Sequence, residues 1–319
     1  MKKITYSSPA RICLSGEHAV VYGKPALVSA IDLRLTFSLF RDKTNTKDKT
    51  ILFIADKVKA YLKKKNIPHK NHKFDYKITS TIPIGRGLGS SAALSTASVA
   101  AFLKFYSGKE FAKEVINNIG YQVEKYFHKN PSGVDVSASC FGGLIYFRKE
   151  FEFLKHISVL NFKIPKKIED NLYLIDSGTP QETTAEMVNV VGKMFNTKPR
   201  FVEEILNDIE KTTKRMVVSL IKEDSVFFQK SLVDNQILLE MLGVVSEKAK
   251  NILKKLEQYG IGKVTGSGGR KAGSGYLLFY AQKKKEFERY GKKINLSFFK
   301  FRQSIQGLRG KNDLRQKPD

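Results

Sequence analysis

Two hydrophobic periods run along this chain and divide it into helices and strands. Residues 51–65 put Ile51, Ile54, Ala55, Val58, Tyr61 and Leu62 on one helical face. Residues 111–127 repeat the pattern with Val115, Ile119, Val123 and Tyr126. Residues 90–106 are rich in Ala and Ser and close on Ser107-Gly108, which reads as a third helix. Alternation over 74–82 (FDYKITSTI) predicts a strand. β-Branched and aromatic residues at 4–6, 11–14 and 27–40 predict strands joined by a loop over 15–25. A short helix is expected to end at Gly142-Gly143, before a strand at 144–147. Beyond it, a strand at 172–176 precedes helices at 182–194, 199–221, 225–242 and 246–259, and residues 276–281 form an apolar strand.

These elements mix without strict strand–helix alternation, which predicts an α+β fold. The 319 residues exceed one ordinary core and suit two domains of roughly 150 residues each. The only boundary cue is the loop around Pro165–Asn171, so the domains are read as 1–165 and 166–319.

Composition adds a strong charge. Hydrophobic residues make up 41% and charged residues 27%, as in an ordinary globular chain, but the net charge is +25. Residues 43–73 alone carry ten Lys against two Asp. Such a surface suits nucleic acid or an anionic membrane. No nucleic-acid module, zinc spacing or aromatic-basic RNA motif accompanies it, so nucleic acid is not an expected partner. No apolar run reaches the roughly 18 residues that span a bilayer, and the first residues lack the apolar stretch of a signal peptide. The expectation is a cytoplasmic protein without a membrane partner. Cys13 and Cys140 match no metal spacing and read as buried, reduced thiols.

Candidate chemistry gathers in four stretches. The first is Gly85-Arg86-Gly87-Leu88-Gly89-Ser90-Ser91, where three glycines at alternate positions let a backbone approach a ligand closely. The helix that follows offers free N–H groups and a positive dipole end to phosphates. A tight strand-to-helix turn with Ser90 as N-cap reads the same residues without a ligand. The second pairs Glu124 with Asp135, eleven residues on. Phosphoryl transfer could use one carboxylate for magnesium and the other as base, while Asp135 could equally satisfy a helix dipole. The third holds Arg11, Glu17, His18 and Tyr22 among glycines. The fourth, residues 265–275 (TGSGGRKAGSG), offers backbone donors and two cations.

Together these stretches resemble the GHMP kinase superfamily, and within it the mevalonate kinases. The resemblance rests on EHAVVYGKPAL at 17–27, GRGLGSSAA at 85–93, NPSGVD at 130–135 with Glu124 upstream, DSGTPQETT at 176–184 and TGSGG at 265–269. It implies a ribosomal S5 domain 2-like N-terminal domain, a ferredoxin-like C-terminal domain and an active site between them. It further implies phosphorylation of mevalonate by ATP, with Asp135 and Arg11 catalytic and Gly85 to Ser91 around the nucleotide. Ser91 and Glu124 would hold Mg2+, while Glu17, His18 and Thr183 would face the substrate. The chain departs from the family pattern in three places. Arg11 stands where Lys is usual, Gln181 where Arg is common, and Arg270-Lys271 where glycines are usual. An acid at Glu17 is expected to disfavour a doubly anionic acceptor such as phosphomevalonate. Phosphomevalonate kinase and a non-catalytic relative are the rival readings, and a homodimer stays open.

Overall fold

The computed structural model describes residues 3–310, except residues 45, 129–131 and 152–153. The first long strands are β1 (Ile4–Ser15) and β2 (Ala26–Arg41), antiparallel and linked through a single 3₁₀ turn at Ala19–Tyr22. Helix α1 (Lys49–Lys64) begins at Asp48, whose carboxylate accepts the N–H groups of Thr50 and Ile51. Its Ile51, Ile54, Ala55, Val58 and Leu62 are buried, the face that the 3.6-residue period predicts. Strand β3 (Phe74–Ser80) leads through the glycine-rich loop into α2 (Ser90–Ser107), followed by α3 (Lys113–Phe127) and α4 (Val134–Phe141). Strands β4 (Leu144–Lys149) and β5 (Lys155–Leu160) complete this part.

Helix α2 is buried on nearly all sides, between the sheet and α1, α3 and α4. That position explains its composition. Ala92, Ala93, Ala97, Ala100 and Ala101 allow close approach, and Thr96 and Ser98 return their hydroxyls to the carbonyls of Ala92 and Leu94.

The second part begins with the short helix α5 (Lys166–Glu169) and β6 (Leu172–Asp176). Helices α6 (Thr184–Thr197), α7 (Pro199–Ile221), α8 (Ser225–Met241) and α9 (Glu247–Leu256) follow in sequence. Strands β7 (Gly260–Val264) and β8 (Tyr276–Ala281) flank the second glycine segment. Helix α10 (Lys284–Lys293), β9 (Phe298–Lys300) and β10 (Arg309–Gly310) close the described chain.

Among the described residues, six strands make one sheet, in the order β10-β1-β2-β4-β5 with β3 also on β2. Four make a second, ordered β7-β8-β6-β9. Every pairing among the described strands is antiparallel, which suits an α+β chain. The strands before residue 165 lie in the first sheet and those after it in the second, with one exception. Strand β10 crosses back and pairs with Tyr6 and Ser7 of β1. Residues 303–310 therefore pack with the first lobe. Arg34 holds this returning segment, donating to the carbonyls of Gln306 and Gly307.

Candidate active site

Loop 85–89 carries three left-handed glycines, with φ of 69° at Gly85, 76° at Gly87 and 74° at Gly89. Residues with a Cβ rarely adopt this conformation, so the alternating glycines are needed for the path of the loop itself. Gly89 is the N-cap of α2, and no side chain caps the helix. The expected alternative, Ser90 as N-cap, is therefore corrected: Ser90 is the first helical residue. The opening N–H groups of α2 have no side-chain cap, and the helix dipole there favours an anion.

Arg11 on β1 ties this loop to the first turn of α4. Its Nε donates to Asp135 Oδ1 at 2.7 Å and its Nη2 to Oδ2 at 2.6 Å. Its Nη1 donates to the carbonyl of Gly87 at 2.6 Å. The fork geometry is one that Lys cannot reproduce. Burial pulls the guanidinium pKa down, but Asp135 outweighs it, and the net shift is upward. Asp135 keeps part of its carboxylate open to solvent, with 31% side-chain exposure, so an acceptor can reach it.

Glu124, in the last turn of α3, is almost wholly buried. Its Oε1 accepts from Ser95 at 2.8 Å and its Oε2 from Ser91 at 3.1 Å. Burial pushes its pKa up to about 7; the serine hydrogen bonds oppose the shift and Asp135 adds to it. His128, just past α3, brings Nε2 to 3.4 Å from Ser91 Oγ and 3.8 Å from Glu124 Oε2. Burial lowers the His128 pKa. Asn130 and Pro131 of the expected catalytic segment lie outside the described residues.

Glu17 and His18 pack against the second lobe. Glu17 forms a buried ion pair with Lys263 of β7, and its second oxygen has no hydrogen-bond partner. Lys263 compensates the charge of Glu17, so the expected repulsion of a second acceptor phosphate by Glu17 does not hold. His18 sits at φ 60° with Nε2 3.1 Å from the carbonyl of Ser267. A carbonyl can only accept, so Nε2 carries the proton and Nδ1 is a bare acceptor. Nδ1 is buried without a partner. Burial takes the His18 pKa down to about 4.

Thr183 is exposed and caps α6, its hydroxyl exchanging hydrogen bonds with Glu186 in a capping box. Its neighbour Thr184 lies 3.3 Å from Ser267 Oγ, on the His18 side. The backbone N–H groups of Arg270 and Lys271 donate to the Glu182 carboxylate, and both side chains are exposed. The two lobes meet at this site. Thr265 Oγ1 exchanges hydrogen bonds with the N–H and carbonyl of Cys13, at 2.8 and 3.0 Å. Arg86 pairs with Asp176 at the end of β6. Both cysteines are free and buried, as expected.

The structure thus brings Arg11, Asp135, Ser91, Glu124 and the glycine loop together, with His18 near the second glycine segment. The motif reading missed Lys263 and His128. His128 stands four residues after Glu124, a helical spacing that points to one face. Lys263 stands two residues before Thr265, inside an otherwise apolar strand.

A family model for the N-terminal domain of GHMP kinases matches residues 50–143. The mevalonate kinase of Pyrococcus abyssi is 33% identical over 82% of this chain and 85% of its own length. The chain belongs to the mevalonate kinase family. The mevalonate kinase of Archaeoglobus fulgidus is 32% identical over 88% of this chain and 93% of its own. The crystal structure of the Methanococcus jannaschii mevalonate kinase superposes with a TM-score of 0.75 at 25% identity, over 95% of this chain and 98% of that one. The two-lobed GHMP kinase fold is shared throughout. Membership brings ATP as co-substrate. Among the described residues no helix is long and apolar enough to cross a membrane.

Proposed function

We propose that this family member transfers the γ-phosphate of ATP to the 5-hydroxyl of mevalonate. The observation that carries the reading is the bidentate Arg11–Asp135 pair, set beside a glycine loop and an uncapped helix N-terminus in a chain of this family. The attacking hydroxyl oxygen bonds to the γ-phosphorus as its bridging bond to the β-phosphate oxygen breaks. The hydroxyl proton passes to Asp135, and ADP leaves. Arg11 holds the base in one orientation and places positive charge beside the attacking oxygen. Residues 85–91 cradle the phosphates with backbone N–H groups. Positioning and electrostatics supply most of the rate in such a reaction.

Mg2+ fits the residues present. Ser91 and Glu124 offer a hydroxyl and a carboxylate, hard oxygen donors of the kind this ion takes. A buried carboxylate with a raised pKa gains from a nearby cation. Among the described residues no three His, Cys, Asp or Glu side chains gather as a cage, so substrate phosphates would complete the shell. When bound, Mg2+ neutralises phosphate charge. His18 would lie beside the acceptor, and its unpaired Nδ1, buried in this structure, would gain a partner if substrate entry brought a hydroxyl to it. Residues 1–165, joined by 303–310, form the nucleotide lobe, and the protein works in the cytoplasm.

The test is an ADP-release assay with ATP and magnesium, offering mevalonate, phosphomevalonate, homoserine and galactose separately. Mevalonate should give the highest kcat/KM and the 5-phosphate by NMR. Preference for phosphomevalonate, or phosphate on the 3-hydroxyl, would overturn the substrate assignment.

A further inference from the structure

We propose that His128 is a nitrogen ligand of the divalent cation in this site, completing a three-donor face with Ser91 and Glu124. The inference rests on the kinase reading above. Ser91 Oγ, Glu124 Oε2 and His128 Nε2 form a triangle with sides of 3.1, 3.4 and 3.8 Å. Adjacent ligands on an octahedral cation with bonds near 2.1 Å stand about 3.0 Å apart. On a tetrahedral cation with similar bonds they stand about 3.4 Å apart. The triangle has the dimensions of a coordination face. Two of its sides are too long for strong hydrogen bonds, whose usual range ends near 3.2 Å.

Helical spacing alone would place His128 beside Glu124, four residues earlier. It does not account for Ser91. That contact comes from a different helix and turns Nε2 toward the first turn of α2, where the phosphates would lie. The ring therefore points into the space between the carboxylate, the hydroxyl and the nucleotide.

A nitrogen donor changes which ions the site prefers. Oxygen ligands suit Mg2+ and Mn2+, whereas imidazole suits Fe2+, Ni2+ and Zn2+, which bind nitrogen more tightly. With two oxygens and one nitrogen, the site uses Mg2+ but holds these transition ions more strongly than an all-oxygen site would.

The direct test uses full-length protein labelled with [15N]histidine, loaded with Mn2+ and a non-hydrolysable ATP analogue. Pulsed EPR should detect one imidazole nitrogen coupled to Mn2+, and His128→Ala should abolish that coupling. His128→Gln supplies the same readout should the alanine variant fail to fold. Metal titrations should show Ni2+ and Zn2+ binding weakened at least about 10-fold by the substitution, with a smaller change for Mg2+. No nitrogen coupling in the unsubstituted protein would overturn the proposal. So would coupling that survives His128 substitution, or an equal loss of affinity for all three ions. Mevalonate phosphorylation with Mg2+ is measured alongside. Its absence would sink the mevalonate assignment, while its presence without nitrogen coupling would sink only the role of His128.

Discussion

Arg86 and Asp176 form an ion pair between the lobes, one on the glycine loop of the first lobe and the other at the end of a strand of the second. Asp176 also accepts the N–H of Gly178 at 2.8 Å, so the pair links the glycine loop to the segment that follows β6. Arg86→Met and Asp176→Asn should each lower kcat/KM by about 10-fold or more, because small displacements of bound groups are costly in rate. Both groups are partly exposed, so stability should change by only about 1 kcal/mol or less. Charge reversal at both positions together should recover part of the loss. Unchanged kinetics in either single variant would reduce the pair to a surface contact.

Asp135→Asn should cut turnover at least ~100-fold, the low end for loss of a positioned base, while a fluorescent ATP analogue still binds. Arg11→Lys keeps the charge but loses the fork to Asp135 and the bond to Gly87. Its expected loss in kcat is roughly 10-fold or more, with the KM for ATP affected less. Near-normal turnover in Asp135→Asn would remove it from the base role.

Glu124→Gln should raise the Mg2+ concentration needed for half-maximal rate by at least about 10-fold, since it removes a charged ligand. Magnesium titrations at saturating ATP would show this. An unchanged requirement would leave Glu124 as a partner of Ser91 and Ser95 alone.

His18 gives the protein a defined acid sensitivity. Its folded pKa, about 4, lies below the unfolded value of about 6.5. The unfolded chain therefore binds the proton more tightly. Stability from a neutral His18 is complete above pH 6.5 and falls as the pH drops toward 4, by on the order of 3 kcal/mol. Urea unfolding at several pH values should show this slope, and His18→Gln should flatten it. An equal slope in that variant would assign the acid sensitivity to other groups.

Much of this fold can be read directly from the chain. The face of α1 follows from its spacing, and the glycine loop shows where α2 begins; on α3 the spacing finds Ile119 and Val123, but Tyr126, expected on the same face, is exposed, and Ile116 and Tyr121 are buried instead. Residues with a helical or alternating period betray their surroundings because neighbours in sequence share them. The site is less legible where its partners are far apart. Glu17 and Lys263 are separated by 246 residues, and no local pattern announces an ion pair between them. Arg86 stands inside a motif, yet its partner on β6 is visible only once the lobes meet. Strands β5 and β9 escaped notice for a related reason. They are short edge strands with mixed polarity, and pairing with a neighbour creates them more than propensity does.

Strand β10 has a consequence for the order in which the protein matures. The edge of the first sheet at β1 is covered by residues 309–310, and Gly142 is packed so tightly against residues 305–307 that a Cβ there would lie 2.2 Å from the Gly307 nitrogen. A ribosome releases β1 first and this segment roughly three hundred residues later. During all of that synthesis the nascent first lobe carries a bare strand edge, the kind of surface that recruits other chains. Its final shape is set only after the second lobe has been made.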